Sequence, residues 1–183
     1  MVLGIGLGGD WHGEYLGFGE PGSNKQRGAM LDEAIEVIAG LWTGEPFTFH
    51  GDHYQVDSVQ FLPTPLQRPR IPVWVAGVWP NKAPFRRAAR WDGVFPIVER
   101  ESFASDPDEV REILAYIAEF RQSDQPQDVI VHAESRGVPA PELRARIAAL
   151  ADAGVTWWLQ TVAPEERYET IRELIAAGPP AIG

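Results

Sequence analysis

The sequence predicts an α/β fold built on a parallel sheet. Short apolar runs alternate with amphipathic helical patterns in five strand-then-helix units. Strands separated by helices must run parallel. At 183 residues and 44% hydrophobic content the chain can bury a core, so one domain spanning 1–183 is the expectation.

Val2 to Gly6 reads as the end of a buried strand that breaks into Gly4-Ile5-Gly6-Leu7-Gly8-Gly9. Between Gln26 and Trp42, the apolar residues Leu31, Ile35, Ile38 and Trp42 recur at helical spacing opposite Asp32, Glu33 and Glu36, with Gly44 just beyond. Pro46 to Gln60 departs from the repeat. Phe47, Phe49, Tyr54 and Val56 alternate with polar residues around Gly51-Asp52, which predicts a small β-hairpin inserted over 46–60. Ile71 to Ala76 is a second strand, ended by Gly77, and Asn81 to Arg90 a second helix whose apolar face is Phe85, Ala88 and Ala89.

The third unit is Gly93 to Ile97, followed by a helix that Ser105 or Asp106 caps, with Pro107 in its first turn and Val110, Ile113, Leu114 and Ile117 facing inward. Asp128 to His132 leads to a helix from Pro141 to Ala153, which Gly154 terminates in a left-handed conformation. Val155 to Leu159 leads to a helix from Pro164 to Ala177, closed by Gly178-Pro179-Pro180. A (β/α) barrel and an open sheet both satisfy this pattern. In either, the strand-to-helix loops emerge on one face: Gly6–His12, Ala76–Trp79, Ile97–Glu99, His132–Ser135 and Gln160–Ala163.

Composition narrows the chemistry. Sixteen Lys and Arg against 26 Asp and Glu leave a net charge of −10, which disfavours nucleic acid. There is no cysteine for disulfides or thiolate metal sites, and no apolar run approaches the roughly 20 residues that cross a bilayer. With no signal-peptide pattern at the start, a cytoplasmic location is expected.

The loops hold the candidate residues. Gly4, Gly6 and Gly9 satisfy the spacing of a dinucleotide-binding loop, but the strand before them is too short and Asp10-Trp11-His12-Gly13 does not begin a helix. A flat ligand against open backbone suits this loop better. Ala76-Gly77-Val78-Trp79 joins a strand to a helix, where free amides and the helix dipole suit a phosphate, and where an ordinary turn is the plain alternative. Arg86, Arg87 and Arg90 follow, with helical spacing that turns at least one to solvent.

His50 and His53 lack a third ligand at suitable spacing and read as surface residues, so no metal is expected. His12 and His132, at strand ends, are candidate proton carriers, and Asp10 and Glu134 candidate bases. Trp11, Trp74, Trp79, Trp91, Trp157 and Trp158 can supply a stacking surface, although strand tryptophans ordinarily pack between sheet and helices. No Gly-x-Ser-x-Gly elbow and no Walker loop is present.

Several ordered motifs together resemble the bacterial luciferase-like flavin monooxygenases. They are the loop Gly4 to Gly9, Glu14-Tyr15 with Gly19, Arg27 before Leu31-Asp32-Glu33, Leu41-Trp42-Thr43-Gly44, Ile71 to Gly77, Arg87 to Pro96, and Ala153 to Trp158. The resemblance implies a partial (β/α)8 TIM barrel with a hairpin insertion, its strands corresponding to the fourth through eighth. It implies a non-covalent cofactor, reduced FMN or the deazaflavin F420, at the C-terminal face. It assigns the phosphate to Ala76, Gly77, Val78 and Trp79, and the wall beside the cofactor to Gly6, Leu7, Gly8 and Gly9.

Leu7 stands where the luciferase subunit carries an arginine, which favours another branch of the family. The family's first three strand-helix units, which supply much of its substrate pocket, have no counterpart here. A five-strand portion exposes two edges and half an interior, so a homo-oligomer or a complementing polypeptide is expected. The implied activity is oxidation or oxygenation of a small organic substrate. The alternatives are a non-catalytic flavin-binding or partner-binding remnant, half of a split enzyme, and a barrel enzyme that binds a sugar phosphate without flavin.

Overall fold

The computed structural model of the chain describes residues 1–97, 106–133, 135, 137–162 and 165–179. Ser105, Glu134, Ala163, Pro164, Pro180 and the Glu99 end of the third loop lie outside them. The chain divides into two compact units, Met1–Val73 and Trp74–Gly183.

The first unit holds β1 (Leu3–Ile5), α1 (Asn24–Leu41) and an antiparallel hairpin of β2 (Phe47–His50) and β3 (Gln55–Val59). Helix α1 starts two residues before the expected Gln26, because the Ser23 side chain accepts from the Gln26 N–H at 3.4 Å. Ile35 is its buried anchor. The hairpin forms as expected and is tied to the helix: the Glu33 carboxylate accepts from the backbone N–H groups of Asp52, His53 and Tyr54 at 2.9, 2.9 and 3.0 Å.

The second unit is a run of strand-helix units: β4 (Val73–Val78), α2 (Lys82–Ala88), β5 (Gly93–Ile97), α3 (Pro107–Ala118), β6 (Asp128–Ala133), α4 (Ala140–Asp152), β7 (Trp157–Gln160) and α5 (Tyr168–Ala177). Its strands pair in parallel, with Val75 beside Val94 and Val94 beside Val129. These three valines are buried, as are Phe85, Val110, Ile113, Ile117 and Leu150. Full burial of one such side chain contributes about 1.5–3 kcal/mol. Within this unit the strand order is β4-β5-β6-β7. That order is sequential, as in a barrel, whereas a doubly wound sheet reverses.

Local chemistry explains the element ends. Asp106, not Ser105, is the N-cap of α3; its carboxylate accepts from the Asp108 N–H at 2.8 Å, and Pro107 opens the helix. Helix α4 is closed by Gly154 at φ +105°, which lets the Val155 N–H reach the Leu150 carbonyl. That bond takes Val155 out of the strand, so β7 begins at Trp157 rather than Val155. Strand β4 corrects the expectation at both ends. It starts at Val73, after Pro72, and it continues through Gly77, which pairs with Pro96, to Val78, which pairs with Ile97. Helix α5 starts at Tyr168, not Pro164, because Arg167 is extended.

Candidate functional site

Alternation along β4 to β7 sorts the second unit's side chains onto two faces. One carries Val75, Val94, Val129 and Val131. The other carries Trp74, Ala76 and Val78 of β4, Phe95 and Ile97 of β5, Asp128, Ile130 and His132 of β6, and Trp157 and Leu159 of β7. Ile130 is buried, but Ala76, Phe95 and His132 are half-buried and Leu159 is exposed. Among the described residues this is an apolar, aromatic face with one titratable group near its C-terminal rim.

That group is His132. Its ring stands edge-on to Phe95, centroids 5.4 Å apart at 89°. Burial pushes its pKa below the ordinary 6.5, so the imidazole is neutral at pH 7. Beyond it, the Ser135 hydroxyl donates to Gln160 Oε1 at 2.5 Å and joins the loop after β6 to the end of β7. The sequence placed Ser135 in its loop, whereas Gln160, expected in the loop after β7, is the last residue of that strand, and nothing in the sequence signalled their pairing. At the opposite end of the face, Asp128 accepts from the indole N–H of Trp74 at 3.2 Å and of Trp157 at 3.0 Å. Trp158 points to the helix side, where Arg146 of α4 lies 5.7 Å from its ring.

The turn after β4 differs from its sequence reading. Ala76, Gly77 and Val78 are strand residues. The Trp79 N–H donates to the Ile97 carbonyl at 3.2 Å, and the Asn81 N–H to the Val78 carbonyl at 3.0 Å. The Trp79 amide, expected to be free for a phosphate, is thus engaged within the protein, as is that of Asn81. Gly77 does serve close approach, but to Pro84: a Cβ there would collide with the proline ring. The turn's positive charge comes from Lys82, whose Nζ lies 3.5 Å from the Trp79 ring centroid and 4.4 Å from that of Tyr116. Arg86 is exposed and donates to the Tyr116 hydroxyl at 2.9 Å, while Arg87 is buried, so the three arginines make no common clamp.

In the first unit, Gly6 to Gly9 do not lead into a helix, which removes the dinucleotide-loop reading. The Leu7 carbonyl accepts from the Tyr15 hydroxyl at 2.8 Å, and Gly8 has φ +62°. The Asp10 carboxylate accepts from the Tyr15 N–H at 2.7 Å, which gives it a structural task in place of a base's. His12 is a surface residue, its side chain 88% exposed, with Glu14 Oε1 3.4 Å from Nδ1. The N–H of His12 also donates to Glu14 and holds that carboxyl below the usual range. His50 meets Gln55 at 2.8 Å and Asp57 at 3.4 Å, while His53 donates its backbone N–H to Glu33. Among the described residues no three His, Asp or Glu side chains are grouped to hold a metal ion, and no helix is long and apolar enough to cross a membrane.

Comparison with known proteins bears on this arrangement. An uncharacterised protein of Mycobacterium tuberculosis is 36% identical over 121 residues, 66% of this chain and 38% of its own length. An FMNH2-dependent dimethylsulfone monooxygenase of Pseudomonas putida is 36% identical over 66 residues, 36% of this chain and 18% of the relative. An F420-dependent glucose-6-phosphate dehydrogenase of Nakamurella multipartita is 34% identical over 80 residues, 44% and 23%. The chain therefore spans well under half the length of these relatives.

Among solved structures, monooxygenase RslO1 from Streptomyces bottropensis superposes with a TM-score of 0.66 at 19% identity, over 92% of this chain and 63% of that one. The coenzyme F420-dependent tetrahydromethanopterin reductase of Methanopyrus kandleri gives 0.66 at 14%, over 95% and 72%. At such identities the likeness speaks for the fold, an α/β barrel portion. Residues 1–135 match the family model of the luciferase-like monooxygenases, and the chain belongs to that family.

Proposed function

We propose that the chain is the cofactor-binding portion of an oxidoreductase that uses reduced FMN or F420, bound non-covalently, on a small organic substrate. The observation that carries this reading is the half-buried face of β4 to β7, where Ala76, Phe95 and His132 lie toward the C-terminal ends of parallel strands in a chain of this family. The fit is good for a flat ring and poor for a phosphate held by the turn's amides, since the Trp79 N–H is spent on Ile97.

Ala76, Val78 and Phe95 form the floor under the ring. Gly77 shapes that floor by letting β4 approach Pro84, and Trp79 contributes its side chain instead of its N–H. Gly6, Leu7, Gly8 and Gly9 are proposed, on the family likeness, as a further cofactor-contacting turn. When bound, the cofactor supplies the hydride or the oxygen-activating electrons. The protein orients it and limits water over an apolar surface. His132, neutral at pH 7, takes up or delivers a proton at an imidazole nitrogen, and it is better placed for this than the exposed His12. A cytoplasmic location suits this reading.

Ala76→Trp tests the placement, because the indole would occupy the floor beside Phe95 without entering the valine core. The expected result is loss of FMN and F420 binding at nearly unchanged melting temperature; undiminished binding would refute the placement. A second reading, a binding subunit closed by a complementing polypeptide or by a second copy, is favoured by the 48% exposure of Trp157 on the same face. Its mark would be a stable oligomer that binds cofactor without turnover.

A further inference from the structure

The loop that follows β1 is braced by one tyrosine. The Tyr15 hydroxyl donates to the Leu7 carbonyl at 2.8 Å and its N–H donates to Asp10 at 2.7 Å, so a single residue holds both ends of the Leu7–Asp10 turn. The peptide between Leu7 and Gly8 is planar, so fixing the Leu7 carbonyl also fixes the direction of the Gly8 N–H. Gly8 is suited to its place twice over. Its φ is +62°, and a Cβ there would collide with the Tyr15 hydroxyl.

The tyrosine is itself held from behind. Arg27 of α1 lies with its guanidinium carbon 4.2 Å from the Tyr15 ring centroid. Arg27 is only 8% exposed, and the acceptors it meets are neutral: the carbonyls of Pro21 and Gly22 at 3.3 and 3.1 Å and Asn24 Oδ1 at 2.6 Å. Its Nε is buried without a hydrogen-bond partner. A buried cation without a carboxylate is costly unless something else stabilises it, and here the desolvated π-face of Tyr15 does so. Lysine could not reproduce a planar fork that stacks and donates to three acceptors at once.

The geometry points to Tyr15 and Arg27 as positioning residues that preset the Leu7–Gly9 turn for the cofactor, acting through the turn without touching the ligand themselves. This rests on the assignment of Gly6 to Gly9 to the cofactor proposed above. The test uses the full chain, wild type and Tyr15→Phe, with Arg27→Lys as a second variant. Affinity for FMN and for F420 is measured by fluorescence titration, and amide hydrogen exchange at Gly8 and Gly9 is measured without cofactor.

Expected are about tenfold weaker binding and about tenfold faster exchange in Tyr15→Phe, at nearly unchanged melting temperature, with Arg27→Lys changing both in the same direction. Wild-type affinity in a folded Tyr15→Phe overturns the proposal even if exchange accelerates. If the wild type binds neither cofactor, the reading above and this proposal fall together. Faster exchange in the variant would then show that the brace exists and that its assigned use was the error.

Discussion

The imidazole of His132 meets the ring of Phe95 edge-on, with centroids 5.4 Å apart. This pairing places a titratable group near the C-terminal rim of the half-buried face of β4 to β7, and burial lowers the pKa of that group below 6.5. The folded state therefore binds fewer protons than the unfolded state between the folded pKa and 6.5. Stability from this site is fully present above pH 6.5 and falls as the pH drops through that window. Replacing His132 by Gln should flatten the acid side of the melting-temperature profile between pH 7 and 5. An identical pH dependence in the variant would show that His132 is not the group responsible.

Phe95→Ala should bring water to the same imidazole. NMR titration of His132 is expected to show its pKa moving up toward 6.5, because desolvation is the cause of the shift. A pKa that stays put would mean that burial by other neighbours dominates.

Glu33 gives the opposite sign. Burial acts to raise its pKa, but the backbone N–H groups of His53, Tyr54 and Asp52 outweigh this and hold the carboxyl below 4.5. The anchor between α1 and the hairpin is thus complete above 4.5 and is lost as pH falls through the lowered value. Glu33→Gln should accelerate hydrogen exchange at Asp52, His53 and Tyr54 at pH 7 while leaving α3 and β6 protected. Unchanged exchange at the hairpin turn would contradict the anchor.

Asp128 ties the two indoles at the other end of the sheet face, and the Trp74 and Trp157 rings lie 5.4 Å apart beside it. Asp128→Ala should cost about 1 kcal/mol or somewhat more in urea unfolding and should shift tryptophan emission to the red. In the core, Ile113→Ala should cost about 2–5 kcal/mol with no spectral change at these tryptophans. Equal spectral effects would mean that the Trp74–Asp128–Trp157 cluster is not a local structure.

Much of the fold was legible because periodicity and punctuation agreed. Pro107 with Asp106, Gly154 after α4 and the alternation from Phe47 to Val56 each name their element locally. What was not legible depended on non-local partners. Gly77 reads as a strand terminator, yet Pro96 on the neighbouring strand keeps it in the ladder, and Pro84 explains its missing side chain. Trp79 reads as a residue with a free amide, but the Ile97 carbonyl lies far along the chain. Asp10 carries a charge that looks functional in isolation, and only the position of Tyr15 relates it and Arg27 to the glycine turn. His132 was legible by its place at a strand end; its partner Phe95 required the register of the sheet.

We propose that β4 to β7 present a working face for reduced FMN or F420. The most direct test is a fluorescence titration of the folded full chain with each cofactor, with oligomeric state measured on the same sample. Saturable binding of one of the two, weakened by Ala76→Trp, is expected. A folded, monodisperse sample that binds neither would contradict it.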